Sequence, residues 1–184
     1  MTLVTTSPLG DGFTLADWEA TPDDGRRYEL IGGTIVVSPT PVPAHQRASR
    51  RLQRLLEEAA PPGHEVFAAP IGLRLPGDQM LEPDIVVVPH GSVGPRVLGL
   101  PVLLVVEVVS PGSRTHDTVT KRHVYAEAGI EHYWLLDGTR PTPRFVALHL
   151  VDRQYETVVD TGERVAIDTP VNLSFTVADL FRAR

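Results

Sequence analysis

The sequence has no cysteine, which excludes disulfide staples and zinc-thiolate centres. It also has no long apolar run. The longest stretch, Val102 to Val109, is interrupted by Glu107 and falls far short of the ~20 residues of a membrane span. The opening MTLVTTSPLG has neither a basic segment nor an apolar run, so no secretion signal is expected. Together these absences predict a cytoplasmic protein without membrane contact. Lysine is almost missing: of 17 basic residues only Lys121 is a lysine, and 23 acidic residues leave a formal charge of -6. A protein that holds nucleic acid by phosphate neutralisation alone is usually basic, so tight unassisted DNA binding is disfavoured. The Gly-Lys-Ser/Thr of a phosphate loop, Gly-x-Gly-x-x-Gly and Gly-x-Ser-x-Gly are all absent. Nucleotide-triphosphate hydrolysis, Rossmann cofactor binding and serine-hydrolase chemistry lose their support.

What is present fits one domain: 184 residues, 42% hydrophobic and 22% charged, enough for a real core over about 13–181. Thr14 caps a short helix through Trp18 and Glu19. In RYELIGGTIVVSP, two β-rich runs flank Gly32-Gly33, a hairpin that sets Glu29 opposite Val36. From Pro43 to about Ala60, Ala48, Leu52, Leu55, Leu56 and Ala59 recur at helical spacing and make one buried stripe. Strands are expected at 65–69, 71–75, 84–88 and 102–109, the last buried on both faces. A helix over roughly 116–128 and a strand from Glu131 to Asp137 complete a parallel strand-helix-strand unit. Strands at Phe145–Val151 and Tyr155–Asp160 then turn antiparallel, and Val177–Phe181 forms a last short helix.

Glu107 is the sharpest anomaly, because a carboxylate inside a central strand costs several kcal/mol unless a cation or dense hydrogen bonding offsets it. Lys121, Val124, Tyr125 and Ala128 fall at i, i+3, i+4 and i+7, so the only lysine points inward from the helix that follows that strand. A surface pair between Asp117 and Lys121 is the competing reading. Asp84 heads the apolar run 85–88, and carboxylates on adjacent strands can share a divalent cation without histidine or cysteine. As an isolated residue Asp84 is an ordinary turn former. His45 begins the long helix in line with Ala48 and Leu52, where a capping or core role competes with ligation. Arg47, Arg50, Arg51 and Arg54 share one face of that helix. They could contact phosphates or form a solvated face paired to Glu57 and Glu58.

YELIGGTIVVSP, the residues Pro41, Pro43, His45 and Gln46, then EPDIVVV, LLVVEVVSPGSR and DTVTKRHVYAEAGIEHYWLLD together resemble the Uma-two family of endonucleases. That family is similar to restriction endonucleases of the PD-(D/E)XK superfamily. The resemblance runs from about Phe13 to Phe181 and implies an α/β fold, a restriction-endonuclease-like mixed β-sheet flanked by helices with antiparallel C-terminal strands. Pro83-Asp84 corresponds to the motif's PD and Glu107 to its acid. The short form of the motif puts lysine at 109, where this chain has Val109; Lys121 from the following helix takes that place.

The resemblance further implies a nuclease acting on nucleic acid, DNA foremost. Asp84, Glu107 and the Val108 carbonyl would ligate Mg²⁺ or Mn²⁺, with Lys121 catalytic and Glu29 a third acid. His45 and the four arginines would contact nucleic acid, and a homodimer would suit double-strand cleavage. Two alternatives stay open: a catalytically inactive binding or assembly module that retains the fold, and hydrolysis of a small phosphodiester.

Overall fold

The computed structural model describes residues 3–5, 12–38 and 40–183. The chain begins with β1 (Leu3–Thr5), α1 (Leu15–Glu19) and the hairpin β2 (Arg27–Ile31) and β3 (Thr34–Ser38), followed by the long helix α2 (Pro43–Ala59). Next come β4 (His64–Ala68), β5 (Leu73–Leu75), β6 (Gln79–Leu81), β7 (Ile85–Pro89) and β8 (Leu104–Val109). A π-helical turn (His116–Lys121) runs into α3 (Arg122–Glu127). The remainder is β9 (His132–Asp137), β10 (Arg144–Val151), β11 (Gln154–Thr161), β12 (Arg164–Ile167), β13 (Leu173–Thr176) and α4 (Val177–Phe181).

Local chemistry accounts for most of these boundaries. Thr14 and Asp17 form a reciprocal capping box on α1, satisfying two otherwise orphaned N–H donors. Gly32 and Gly33 both take positive φ, 54° and 72°, the requirement of a tight hairpin turn, and Glu29 lies opposite Val36 as the spacing predicts. Pro43 opens α2, where its missing N–H costs nothing. The predicted stripe faces the core: Ala48, Leu52 and Leu56 are fully buried, with Leu55 and Ala59 packed at the margin.

The main sheet has the order β11-β10-β9-β8-β7-β4. Its β8–β9 pair is parallel and its other pairs are antiparallel, so the expected mixed sheet with antiparallel C-terminal strands is present. β8 sits centrally and all six of its residues are buried. Leu104, Val106 and Val108 face one core with Ala48, Leu52 and Leu56 of α2, while Val105 and Val109 face another with Val124 and Tyr125 of α3. Glu107 shares the second face by the two-residue period of a strand.

Three features differ from the sequence expectation. The Gly32-Gly33 hairpin belongs to a second sheet, β1-β3-β2-β6-β5, whose Leu73, Leu75 and Leu81 enter the core on the Glu107 face. The β5–β6 and β12–β13 hairpins were not expected, although Gly77-Asp78 carries the positive φ of a turn and 164–167 and 173–176 alternate in burial. The helix expected over 116–128 opens with a π turn rather than α-helix. Among the described residues, no helix is long and apolar enough to cross a membrane.

Candidate active site

The antiparallel register of β7 and β8 pairs Ile85 with Val106, which brings Asp84, just ahead of β7, beside the β8 segment that carries Glu107 and Val108. The exposures of Asp84 and Glu107, 3% and 1%, are those of core residues. Asp84 begins where β7 has no earlier residue, which leaves its carboxylate reachable from several elements. Its Oδ1 meets Arg27 of β2 at 2.5 Å. Its Oδ2 accepts from the Val108 backbone N–H at 2.7 Å and lies 3.1 Å from His45 Nε2. Burial opposes the Asp84 charge, but Arg27 and His45 hold its carboxyl well below the usual carboxylate range.

Lys121 is the hub of the other half of the site. Its ammonium lies 2.8 Å from Glu29, 2.9 Å from Glu107 and 3.8 Å from Asp117. The π turn explains the crowding: its wider winding places residues four and five positions back on either side of Lys121. Asp117 and His116 are those residues, and His116 Nε2 lies 3.4 Å from Glu29. Tyr133 donates to the Asp117 carbonyl and Thr118 to the Arg114 carbonyl, satisfying groups that the altered winding frees. Surrounded by acids, Lys121 is held in its charged form well above the ordinary lysine range, despite burial. The surface pairing of Asp117 with Lys121 is replaced by a buried one.

Two glutamates on the same lysine behave oppositely. Burial works against the charge of Glu29, yet Lys121, His116 and Arg27 bring its carboxyl down to about 2. Burial pushes Glu107 up to about 8, Asp84, Asp117 and Glu29 reinforcing the shift and Lys121 opposing it. Tyr125 donates to the same Glu107 oxygen that Lys121 reaches, at 2.8 Å. Four carboxylates, on Glu29, Asp84, Glu107 and Asp117, therefore face two permanent cations, Arg27 and Lys121. Among the described residues, no three His, Asp or Glu side chains are spaced to hold a metal as they stand, because Arg27 and Lys121 fill the spaces between the acids.

The structure thus brings together Asp84, Glu107, Lys121, Glu29, the Val108 backbone and His45. The four arginines of α2 are not among these contacts. Arg51 donates to the carbonyls of Asp179, Leu180 and Arg182 at the chain's C-terminal helix; Arg50 and Arg54 are exposed, and Arg47 is half-buried. Glu57 accepts from Gln53. Sequence reasoning missed Arg27, His116, Asp117 and Tyr125 as members of the cluster. For Arg27 a signal existed, since it alternates with Glu29 along β2 and must share its face. A cavity of about 220 Å³ opens onto the site, lined by Arg27, Thr40, Val42, His45, Ser110 and Ser113 among others.

The Uma2 family model, described as "putative restriction endonuclease", matches residues 14–178. Curated proteins give no match. Among solved structures, a protein described as a putative nuclease belonging to DUF820 from Anabaena variabilis superposes with a TM-score of 0.71 at 18% identity, over 92% of this chain and 97% of the other. That likeness shows a shared fold, and the family match spans the chain from the α1 cap into α4: the protein belongs to the Uma2 family.

Proposed function

We propose that the protein is a divalent-metal-dependent endonuclease that hydrolyses phosphodiester bonds, with DNA as its substrate. The observation that carries this reading is the charge shortfall: four buried carboxylates against two fixed cations, at the meeting of β7 and β8 and beside an open cavity. Mg²⁺ and Mn²⁺ are hard cations that take oxygen ligands. Asp84, Glu107 and the Val108 carbonyl would hold one. The Val108 N–H already points to Asp84, and in a strand a residue's N–H and C=O leave by the same edge. When bound, the cation supplies Lewis acidity to the phosphate and lowers the pKa of water.

The chain's own groups do the rest. Lys121, kept charged and pinned by Glu29 and Glu107, holds a compact positive charge where negative charge builds on the phosphate oxygens. Glu29 orients that ammonium, and Tyr125 fixes Glu107. His45 and the Val108 N–H fix Asp84, while Arg27 balances its charge until substrate and cation arrive. Arg50 and Arg54, the exposed members of the arginine face, are available to phosphates further along the strand. A homodimer, which would bring two such sites together, belongs to the same reading.

One observation favours the alternative, a binding module that keeps the fold without catalysis: Asp84, Glu29 and Glu107 each already have a fixed cation within 3 Å. The discriminating experiment incubates wild type and Asp84→Ala with mixed DNA and RNA substrates in Mn²⁺. The nuclease reading expects cleavage by wild type that Asp84→Ala loses. Equal cleavage by both, or none by either, contradicts it.

A further inference from the structure

The charged groups of the site are recessed. Glu29, Asp84, Glu107, Asp117 and Lys121 are each 3% exposed or less, and His45 is 8% exposed. Arg27, at 17% side-chain exposure, is open to the same cavity that His45 lines. One wall of that cavity is the segment before α2, with Thr40 and Val42; the other is the loop after β8, with Ser110 and Ser113. At about 220 Å³ it is smaller than the ~300–1,000 Å³ of ordinary small-molecule pockets. It admits part of one nucleotide and no double helix.

A duplex presents its phosphates on a convex, stiff surface, and proteins that grip it do so with a broad basic face. This chain carries a net charge of -6, and of its one arginine stripe Arg51 is occupied with backbone carbonyls. Arg27 and His45 both line that cavity and both contact Asp84, so a phosphate that meets the site through it does so on a strand thin and flexible enough to enter. The walls suit such a strand: Val42, 59% exposed, with Pro41 and Pro111, offers apolar surface to an unstacked base, and Arg27 on the floor offers charge to its phosphate.

We propose that the substrate enters this site as single-stranded nucleic acid, with one unpaired nucleotide seated between the Thr40–Val42 segment and the Ser110–Ser113 loop. The inference rests on the nuclease reading and specifies its substrate class. A duplex must fray or extrude a nucleotide to comply, and that unstacking sets the expected preference.

The test measures binding by fluorescence anisotropy, in Ca²⁺, of a labelled single-stranded oligonucleotide and of the same sequence as a blunt duplex. It compares wild type, Val42→Asp and Val42→Thr. Val42 is the N-cap of α2 and makes no side-chain cap bond, so Asp there supplies a cap and does not unfold the helix, while setting a negative charge at the cavity mouth. Wild type is expected to prefer the single strand by about tenfold or more. Val42→Asp should weaken single-strand binding by about tenfold at an unchanged or higher melting temperature, and the neutral Val42→Thr, which loses only part of the apolar surface, should weaken it less. Equal affinity for duplex and single strand overturns the proposal; so does an unchanged Val42→Asp, or no binding to either substrate. Single-strand preference with no cleavage in Mn²⁺ upholds this site and removes the nuclease reading instead.

Discussion

One face of β8 meets α2 and the other meets the π turn, and opposite physics holds the two together. On the α2 face Leu104, Val106 and Val108 pack on Ala48, Leu52 and Leu56, continuing through the edge-to-face rings of Trp134, Phe145 and Phe175. These packed groups are all apolar, and the free energy comes from removing apolar area from water. On the other face Glu107 sits among Lys121, Glu29 and Asp117, where every group loses solvation and attraction only offsets that loss. A single strand thus joins a region built for stability to one built for charge.

Removing Lys121 should cost the charged face most. Lys121→Ala leaves Glu29, Glu107 and Asp117 facing each other without their cation, and such a loss costs about 3–5 kcal/mol. Leu52→Ala opens a cavity on the other face at a similar or smaller cost, about 2–5 kcal/mol. Urea denaturation across pH separates the causes. The Lys121→Ala penalty should shrink in acid, where the acids protonate, whereas the Leu52→Ala penalty should stay constant.

The pH dependence of the metal-free wild type sharpens the contrast next. Glu107 is raised from 4.5 to about 8 in the folded state, so between those values the folded protein binds more protons than the unfolded chain. Stability must then fall as pH rises from about 5 to about 8. Glu82, raised by burial to about 7, acts in the same sense. Glu29, brought down to about 2, contributes stability that is present above 4.5 and lost as pH drops towards 2. Chemical denaturation should therefore show maximal stability in mild acid. A maximum at or above neutrality would mean that Glu107 is ionised throughout.

The most telling sign is a gain. Glu107→Gln removes the carboxyl that is hardest to ionise and keeps its shape, so the apo protein should gain stability at pH 8 and show a shallower alkaline decline, the remainder being that of Glu82. Cleavage should vanish in the same variant. A thermal melt and a nuclease assay on one preparation check both halves.

The sequence discloses the anomalies of this site better than its partners. Glu107 is conspicuous because it breaks an apolar run, and Lys121 because it is the lone lysine on an inward stripe; both land in the cluster. Glu29 becomes visible only through the family resemblance, since the sheet that buries it could not be read from its hairpin. Arg27 reaches Asp84 across 57 residues, a contact no local period encodes. His116 and Asp117 enter together because the turn is π rather than α, a choice made by tertiary contacts that propensity does not record. The α2 face was legible almost whole, because hydrophobic periodicity reports burial but is silent about which charges will meet.

A thermal melt of wild type and Asp84→Ala with and without millimolar Mn²⁺ asks most directly whether the charge-deficient face is a cation site. Binding to the native state alone should stabilise wild type by mass action, by about 2.7 kcal/mol at a hundredfold excess over the dissociation constant. Asp84→Ala should show no such rise, even if its apo form melts no lower. Equal shifts in the two proteins, or no shift in wild type, would contradict the account and leave the cluster a structural one.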